Sequence, residues 1–248
     1  MAVADGPIPI VFENSQVVVV DKPAGWLSVP SHAGAADPRP VVGTRLQRQI
    51  GGRLWPVHRL DEDVSGLLVF ARSASAHRCL CSGFERHLIE KTYQARCHGS
   101  APTDSQLGQW VRWTTTLMRG KKRAYVHPAG KPAITDVLLF AIDASSLHFC
   151  LRPRTGRGHQ LRVELARRGC PIFGDTLYGA PGDNDLMGIA LRAVALDFSQ
   201  LEDAIDLHLP PRLALPMTAV EGVAELVLSR TGGSWHHTSE AHPLTPPE

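Results

Sequence analysis

The densest concentration of reactive side chains is the segment His58-Arg59-Leu60-Asp61-Glu62-Asp63-Val64-Ser65-Gly66. Three carboxylates, a guanidinium and an imidazole stand directly before the apolar run Gly66–Ala71. An ionised carboxylate there can attack an electrophile or accept a proton. A strand behind it would hold the geometry that such chemistry needs. The same composition also fits an ion-paired turn, and the segment alone does not separate the two. The His-Arg-x-Asp order resembles a protein-kinase catalytic loop. However, no Gly-rich phosphate loop precedes a strand lysine, no Asn follows at the required offset, and Asp-Phe-Gly is missing. Paired carboxylates also serve glycosidases, but Asp61 and Asp63 would face opposite sides if the segment were a strand.

A second segment is Thr155-Gly156-Arg157-Gly158-His159-Gln160-Leu161-Arg162-Val163-Glu164. Its glycines allow a tight turn and close approach of the backbone to a ligand. Arg157 and Arg162 near a helix start suit a phosphate or carboxylate. An ordinary helix with exposed arginines would read the same way. The third glycine of a dinucleotide fingerprint is lacking. A third segment, Lys91-Thr92-Tyr93-Gln94-Ala95, carries Tyr93, one of three tyrosines in the chain. A strand tyrosine is either core or a polar tip at a site.

These residues need elements to hold them. Strands are expected over Ile8–Phe12, Val17–Val20, Gly66–Ala71, Glu90–His98, Ile134–Phe140, Leu147–Leu151, Ile189–Phe198 and Ile205–Leu209. The periodicity predicts helices over Val42–Ile50, over Ser75–His87 behind an N-capping Ser73, and over His159–Arg168 with Gly169 just past its end. Asp21–Gly25, Gly130–Pro132 and Asp143–Ser146 read as turns. The stretch around Trp110 and Trp113 carries no clear signal. Strict βαβ alternation is absent, which argues against a Rossmann sheet or a TIM barrel. The fold class expected is α+β, with a mixed, mainly antiparallel sheet and flanking helices.

The 248 residues suffice for one large domain or two small ones, with 43% hydrophobic and 20% charged residues. The net charge of +2 is too small for a non-specific nucleic-acid coat. The basic residues are nevertheless clustered, at Arg119, Lys121, Lys122 and Arg123, and again from Arg152 to Arg168. Either cluster alone reads as a solvated face. Five cysteines without C-x-x-C spacing and twelve histidines without recurrent ligand spacing point to no metal site. No signal peptide and no membrane span are expected, and a reduced, cytoplasmic location follows from that reading. The polar, Pro-rich stretch 232–248 is expected to be a disordered tail behind a domain of residues 1–231.

Taken in order, the motifs become specific. His58-Arg59-Leu60-Asp61-x-x-Val64-Ser65-Gly66-Leu67-Leu68-Val69-Phe70-Ala71 closely resembles the central motif of the RluA-type pseudouridine synthases. Asp21-Lys22-Pro23-Ala24-Gly25, Leu80-x-x-x-Phe84 and Ile89-x-Lys91-x-Tyr93-x-Ala95 resemble further family motifs. So do Gly130-Lys131-Pro132-Ala133-x-Thr135, Thr155-Gly156-Arg157-x-His159-Gln160-Leu161-Arg162-Val163 and Pro171-Ile172-x-Gly174-Asp175-x-x-Tyr178-Gly179. The resemblance runs from about Val18 to about Phe198. Two positions depart from it: Val64 stands where the family usually has Thr, and Glu164 where it often has His. A lost threonine hydroxyl removes a hydrogen bond of ~1 kcal/mol.

The resemblance implies isomerisation of uridine to its C5-glycoside within RNA, ribosomal or transfer, with no cofactor and no metal. It implies Asp61 as the essential carboxylate, Arg162 as its partner cation, and Tyr93 as a surface for the base and the group that removes the C5 proton. Arg59 would occupy the space left by a flipped nucleotide or hold a phosphate. His58, Arg157, His159, Gln160, Lys122 and Arg123 become candidate substrate or RNA contacts, the run from Arg119 to Arg123 and the arginines from Arg152 to Arg157 would supply salt-dependent affinity for RNA, and Leu191 becomes a candidate wall of the pocket. It also implies a central catalytic cleft. The motif-bearing chain starts too near the N-terminus for a separate domain of ~50 residues ahead of it, so a monomeric catalytic domain lacking an S4 domain is expected. The competing reading is a non-catalytic RNA-binding module on the same fold.

Overall fold

The computed structural model describes residues 6–182, 186–204 and 206–217. In chain order its elements are β1 (Ile10–Glu13), β2 (Val17–Lys22), α1 (Val42–Ile50), β3 (Trp55–Pro56), β4 (Ser65–Ala71), α2 (Ala74–Glu85), β5 (Glu90–Cys97), β6 (Trp110–Arg119), β7 (Ala124–Val126), β8 (Lys131–Ile142), β9 (Leu147–Pro153), α3 (Gln160–Ala166), β10 (Leu191–Asp197) and β11 (Arg212–Ala214). The described residues form two compact units, one from residues 6–91 and 192–215, the other from residues 92–191 and 216–217. The architecture is α+β, as the patterning predicts.

In the first unit β2 lies between β1 and β4 and is antiparallel to both. Every residue of Val17–Val20 is buried. That explains why the valine run does not alternate: a strand covered on both faces is apolar throughout. β4 in turn pairs in parallel with β10, Ser65 opposite Arg192 and Gly66 opposite Ala193. Gly66 has φ +110, and a Cβ there would lie 2.2 Å from the Ala193 carbonyl oxygen. Only glycine fits this close approach of two backbones. α2 closes one face of the sheet through Ala76 and Leu80, which pack with Val17, Val69, Leu196 and Phe198. The Ser73 hydroxyl caps α2 by accepting from the Ala76 N–H at 3.1 Å.

The second unit is an antiparallel sheet in the order β5-β9-β8-β6-β7. The ten residues of β6 carry the two tryptophans. Trp113 is fully buried and stacks beneath the Arg168 guanidinium, 3.9 Å from the ring centroid. Trp110 packs on Leu138, Phe140 and Cys150, with Arg152 over its ring at 4.4 Å. The Trp110–Trp113 stretch is therefore structural. Its strand signal lies in β-branched threonines and not in a clean apolar alternation.

Two expectations need correction. The expected strand Ile205–Leu209 is not found: Ile205 lies outside the described residues, residues 206–208 are turn, and the last strand among the described residues is β11, antiparallel to β10. Leu207 and Leu209 are apolar because they plug the core of the first unit, not because they join a ladder. α3 is also shorter than His159–Arg168. His159 starts it in the left-handed region (φ +54), and the chain has left the helix before Gly169 (φ +75). The stretch 232–248 lies outside the described residues. Among the described residues no helix is long and apolar enough to cross a membrane, and no group of three metal-ligating side chains occurs.

Candidate active site

Asp61 stands on a turn between β3 and β4, not on a strand, so the alternation argument about Asp61 and Asp63 does not apply. The turn is held through its main chain. Ser28 Oγ donates to the Leu60 carbonyl at 2.9 Å and accepts from the Leu60 N–H at 3.0 Å. The Glu62 carbonyl accepts from the Gly25 N–H and from Lys22 Nζ, both at 2.9 Å. The Val64 N–H closes the turn onto the Asp61 carbonyl. The Asp21–Gly25 motif thus serves as the base on which the carboxylate segment rests.

Lys22 is fully buried, and its ammonium also donates to the Pro23 carbonyl at 2.9 Å. Burial lowers its pKa to about 8, against the opposing pull of Asp63, Glu62 and Asp61. The Glu62 side chain points the other way, to Arg39 at 2.6 Å, and Arg39 also grips Asp37. Hydrogen bonds from Arg39, then Ser31, hold the Asp37 carboxyl well below the usual range. Val64 is buried, 3% exposed.

His58 accepts from the Val69 N–H through Nε2 at 3.0 Å and packs on Phe84 with ring centroids 4.4 Å apart. Desolvation, with a contribution from Lys91, lowers its pKa to about 3, which favours the neutral imidazole. Arg59, beside Asp61, is exposed.

In the second unit Tyr93 lies on β5 opposite Leu151 and is half-buried. Arg162 is 3% exposed and forms a two-pronged pair with Asp175, Nε and Nη2 each 2.7 Å from a carboxylate oxygen. Its guanidinium carbon sits 5.3 Å from the centre of the Tyr178 ring. The Tyr178 hydroxyl accepts from the Ala124 N–H, donates to the Ala124 carbonyl and meets His159 Nδ1 at 3.0 Å. Burial raises its pKa to about 12. Asp175 and Tyr178 belong to a motif quoted above without roles. Their functions, orienting Arg162 and tying α3 to β7, have no signal in residue spacing.

Gln160 is a buried strut. Its amide donates to the Ile134 carbonyl and to Thr135 Oγ1, and its oxygen accepts from Thr155 Oγ1 and the Arg157 N–H. Leu191 is 3% exposed at the start of β10. Lys122 and Arg123 lie exposed on the turn between β6 and β7, and Arg157 donates through Nε to the Pro132 carbonyl at 2.8 Å.

The arginine-rich stretch is not a uniform solvated face. Arg167 and Arg168 are almost buried around Glu164, and Arg168 also pairs with Asp104 at 2.9 Å. Burial raises the Glu164 pKa against the pull of Arg168 and Arg167. The departure at Glu164 is thus part of an internal ion cluster. Arg154 and Arg112 both grip the buried Asp136.

A family model described as RNA pseudouridylate synthase matches residues 16–167. An uncharacterised RNA pseudouridine synthase of Zymomonas mobilis is 30% identical over 196 residues, covering 78% of this chain and 88% of that protein. The dual-specificity RNA pseudouridine synthase RluA of Vibrio vulnificus is 36% identical over 182 residues, 70% of each chain. The solved structure of human RNA pseudouridylate synthase domain containing 1 superposes with a TM-score of 0.66 at 21% identity, over 88% of this chain and 87% of that one.

Proposed function

Since the chain belongs to the RNA pseudouridylate synthase family and is an enzyme that isomerises uridine to pseudouridine in RNA, we propose that Asp61 is the carboxylate that carries the reaction. The substrates we assign are uridines of structured ribosomal or transfer RNA. Among its relatives are a dual-specificity synthase and a ribosomal large-subunit synthase. The reaction breaks N1–C1′, forms C5–C1′, removes the C5 proton and places a proton on N1. Atoms balance within one nucleotide, and neither a redox partner nor a second substrate is needed.

The observation that carries the reading is the main-chain clamp on Leu60–Val64 by Ser28, Gly25 and Lys22. A nucleophile or base gains most when its backbone cannot drift, because misplacement by an ångström costs orders of magnitude in rate. Tyr93, half-buried on a strand, is assigned to the base and to C5 deprotonation. Arg162, preset by Asp175, is assigned as the fixed cation of the reaction. Arg59, exposed beside Asp61, is assigned to the space or phosphate of the flipped nucleotide. We assign the enzyme to the cytoplasm as a monomer. Its five cysteines are all free thiols, consistent with a reducing compartment.

The test is to incubate the native protein and Asp61→Ala separately with unmodified ribosomal and transfer RNA transcripts, digest to nucleosides and quantify pseudouridine. Pseudouridine formed by the native protein, with a loss of at least about 10³-fold in the variant, is expected. Equal product from both proteins would remove Asp61 from the mechanism. RNA binding without product from either would favour a binding module.

A further inference from the structure

The second unit has an open cleft of about 360 Å³ between the β6–β7 hairpin, the start of β8 and the loop before α3. Its polar lining comes from Arg119, Lys131 and Arg157, and its floor includes Gly130, Gly156 and Gly158. None of the lining residues is acidic. The surrounding sequence is equally one-sided: no Asp or Glu occurs from Ser105 to Thr135 or from Ala144 to Val163. The three cations therefore face a region with no carboxylate of its own segments to neutralise them.

Two of the cations are aimed rather than merely present. Arg157 is oriented by its Nε bond to the Pro132 carbonyl. The Arg119 guanidinium rests against the backbone of Gly158, where an added Cβ would lie 2.9 Å from Nη1. A side chain at position 158 would push that guanidinium away. On the same hairpin Tyr125 is 42% exposed, across from Met118. Clustered cations around an accessible backbone, beside an exposed aromatic ring, are what a nucleic-acid strand recognises through its phosphates and bases.

We propose that this cleft is a phosphodiester-binding site, filled by RNA backbone flanking the modified nucleotide, with Arg119, Lys131 and Arg157 as its cations. The proposal rests on RNA being the substrate. It assigns to Arg119 and Lys131 a role that none of the catalytic motifs gives them. Such contacts fix strand path and supply affinity without reading sequence.

The test measures binding of a fluorescein-labelled oligouridylate to the full chain by anisotropy across a series of KCl concentrations. Native protein is compared with Arg119→Gln/Lys131→Gln. Each phosphate contact to a single strand contributes a slope of about −0.7 in log K against log salt. The double variant is expected to have a slope shallower by roughly 1.4, with affinity at low salt down about tenfold or more. An unchanged slope would overturn the proposal. Should the double variant fold poorly by circular dichroism, Lys131→Gln alone, at the exposed first position of β8, carries the same test with a change of roughly 0.7. Pseudouridine formation by the native protein is measured separately. A silent enzyme would thus count against the synthase reading, while a salt slope that ignores these residues would count against the cleft.

Discussion

The carboxylate turn and the basic hairpin are held in opposite ways. Leu60–Val64 is tied at its main chain by a buried lysine, a buried serine and a loop N–H. The turn Gly120–Arg123 is tied by a single backbone pair from the Gly120 N–H to the Arg123 carbonyl and carries its charges into solvent. Chemistry at one atom requires a fixed position, whereas counter-ion release needs only charge near a phosphate. Stability and function should therefore be coupled in the buried ionic framework and separable on the hairpin.

The largest effect is expected at Arg162–Asp175. Both side chains are buried, and the pair is two-pronged. Removing one partner of a buried ion pair costs about 3–5 kcal/mol, because the remaining charge keeps its desolvation penalty. Asp175→Ala should lose that much in urea unfolding, and Asp175→Asn distinctly less. A loss below about 1 kcal/mol in the alanine variant would place this pair with the surface charges and blur the contrast.

A smaller effect separates Lys22 by pH. Its folded pKa of about 8 lies below the ordinary lysine value of 10.5. Between those values the unfolded chain holds more protons than the folded one, so stability rises with pH across that window. Below about pH 8 both states carry the charge and the burial penalty is felt in full. Relative to Lys22→Met, the native protein should gain about 3 kcal/mol from pH 7.5 to 10.5. Lys91, lowered by burial in the same direction, cancels in the difference. Parallel stability curves for the two proteins would show that the ammonium under the carboxylate turn is not desolvated.

How much of this was legible in sequence follows from what each residue answers to. α1 could be read to the residue and β4 to within one, because apolar periodicity reports burial directly. Asp61, Tyr93 and Arg162 are the proposed reactive residues because ordered motifs carry them. Lys22 and Asp175 appeared within such motifs, yet their partners could not be read, since a hydrogen bond to the Glu62 carbonyl or to a guanidinium distant in sequence leaves no period. His58 and Gln160 looked like ligands for the converse reason: polar side chains satisfied by internal backbone groups have the same composition as polar side chains awaiting a substrate. The same ambiguity hid Arg167 and Arg168, which read as surface charge until Glu164, Asp104 and Trp113 were seen around them.

The smallest effect on stability is expected at the tip of the hairpin. Lys122 and Arg123 are exposed, and the side-chain hydrogen bond from Arg123 to the Leu177 carbonyl is 3.5 Å long. Lys122→Gln/Arg123→Gln should change unfolding free energy by no more than about 0.5 kcal/mol, the usual range for surface positions. The KM for RNA should nevertheless rise about threefold or more at low salt, and the difference should fade towards 1 M KCl, where the screening length falls to about 3 Å. Stability loss comparable to Asp175→Ala would mean that the hairpin is part of the rigid framework. An unchanged KM at low salt would mean that its charges never meet the RNA. Only an intact fold with a salt-sensitive KM keeps the two regions distinct, one built to hold an atom in place and the other to hold a strand nearby.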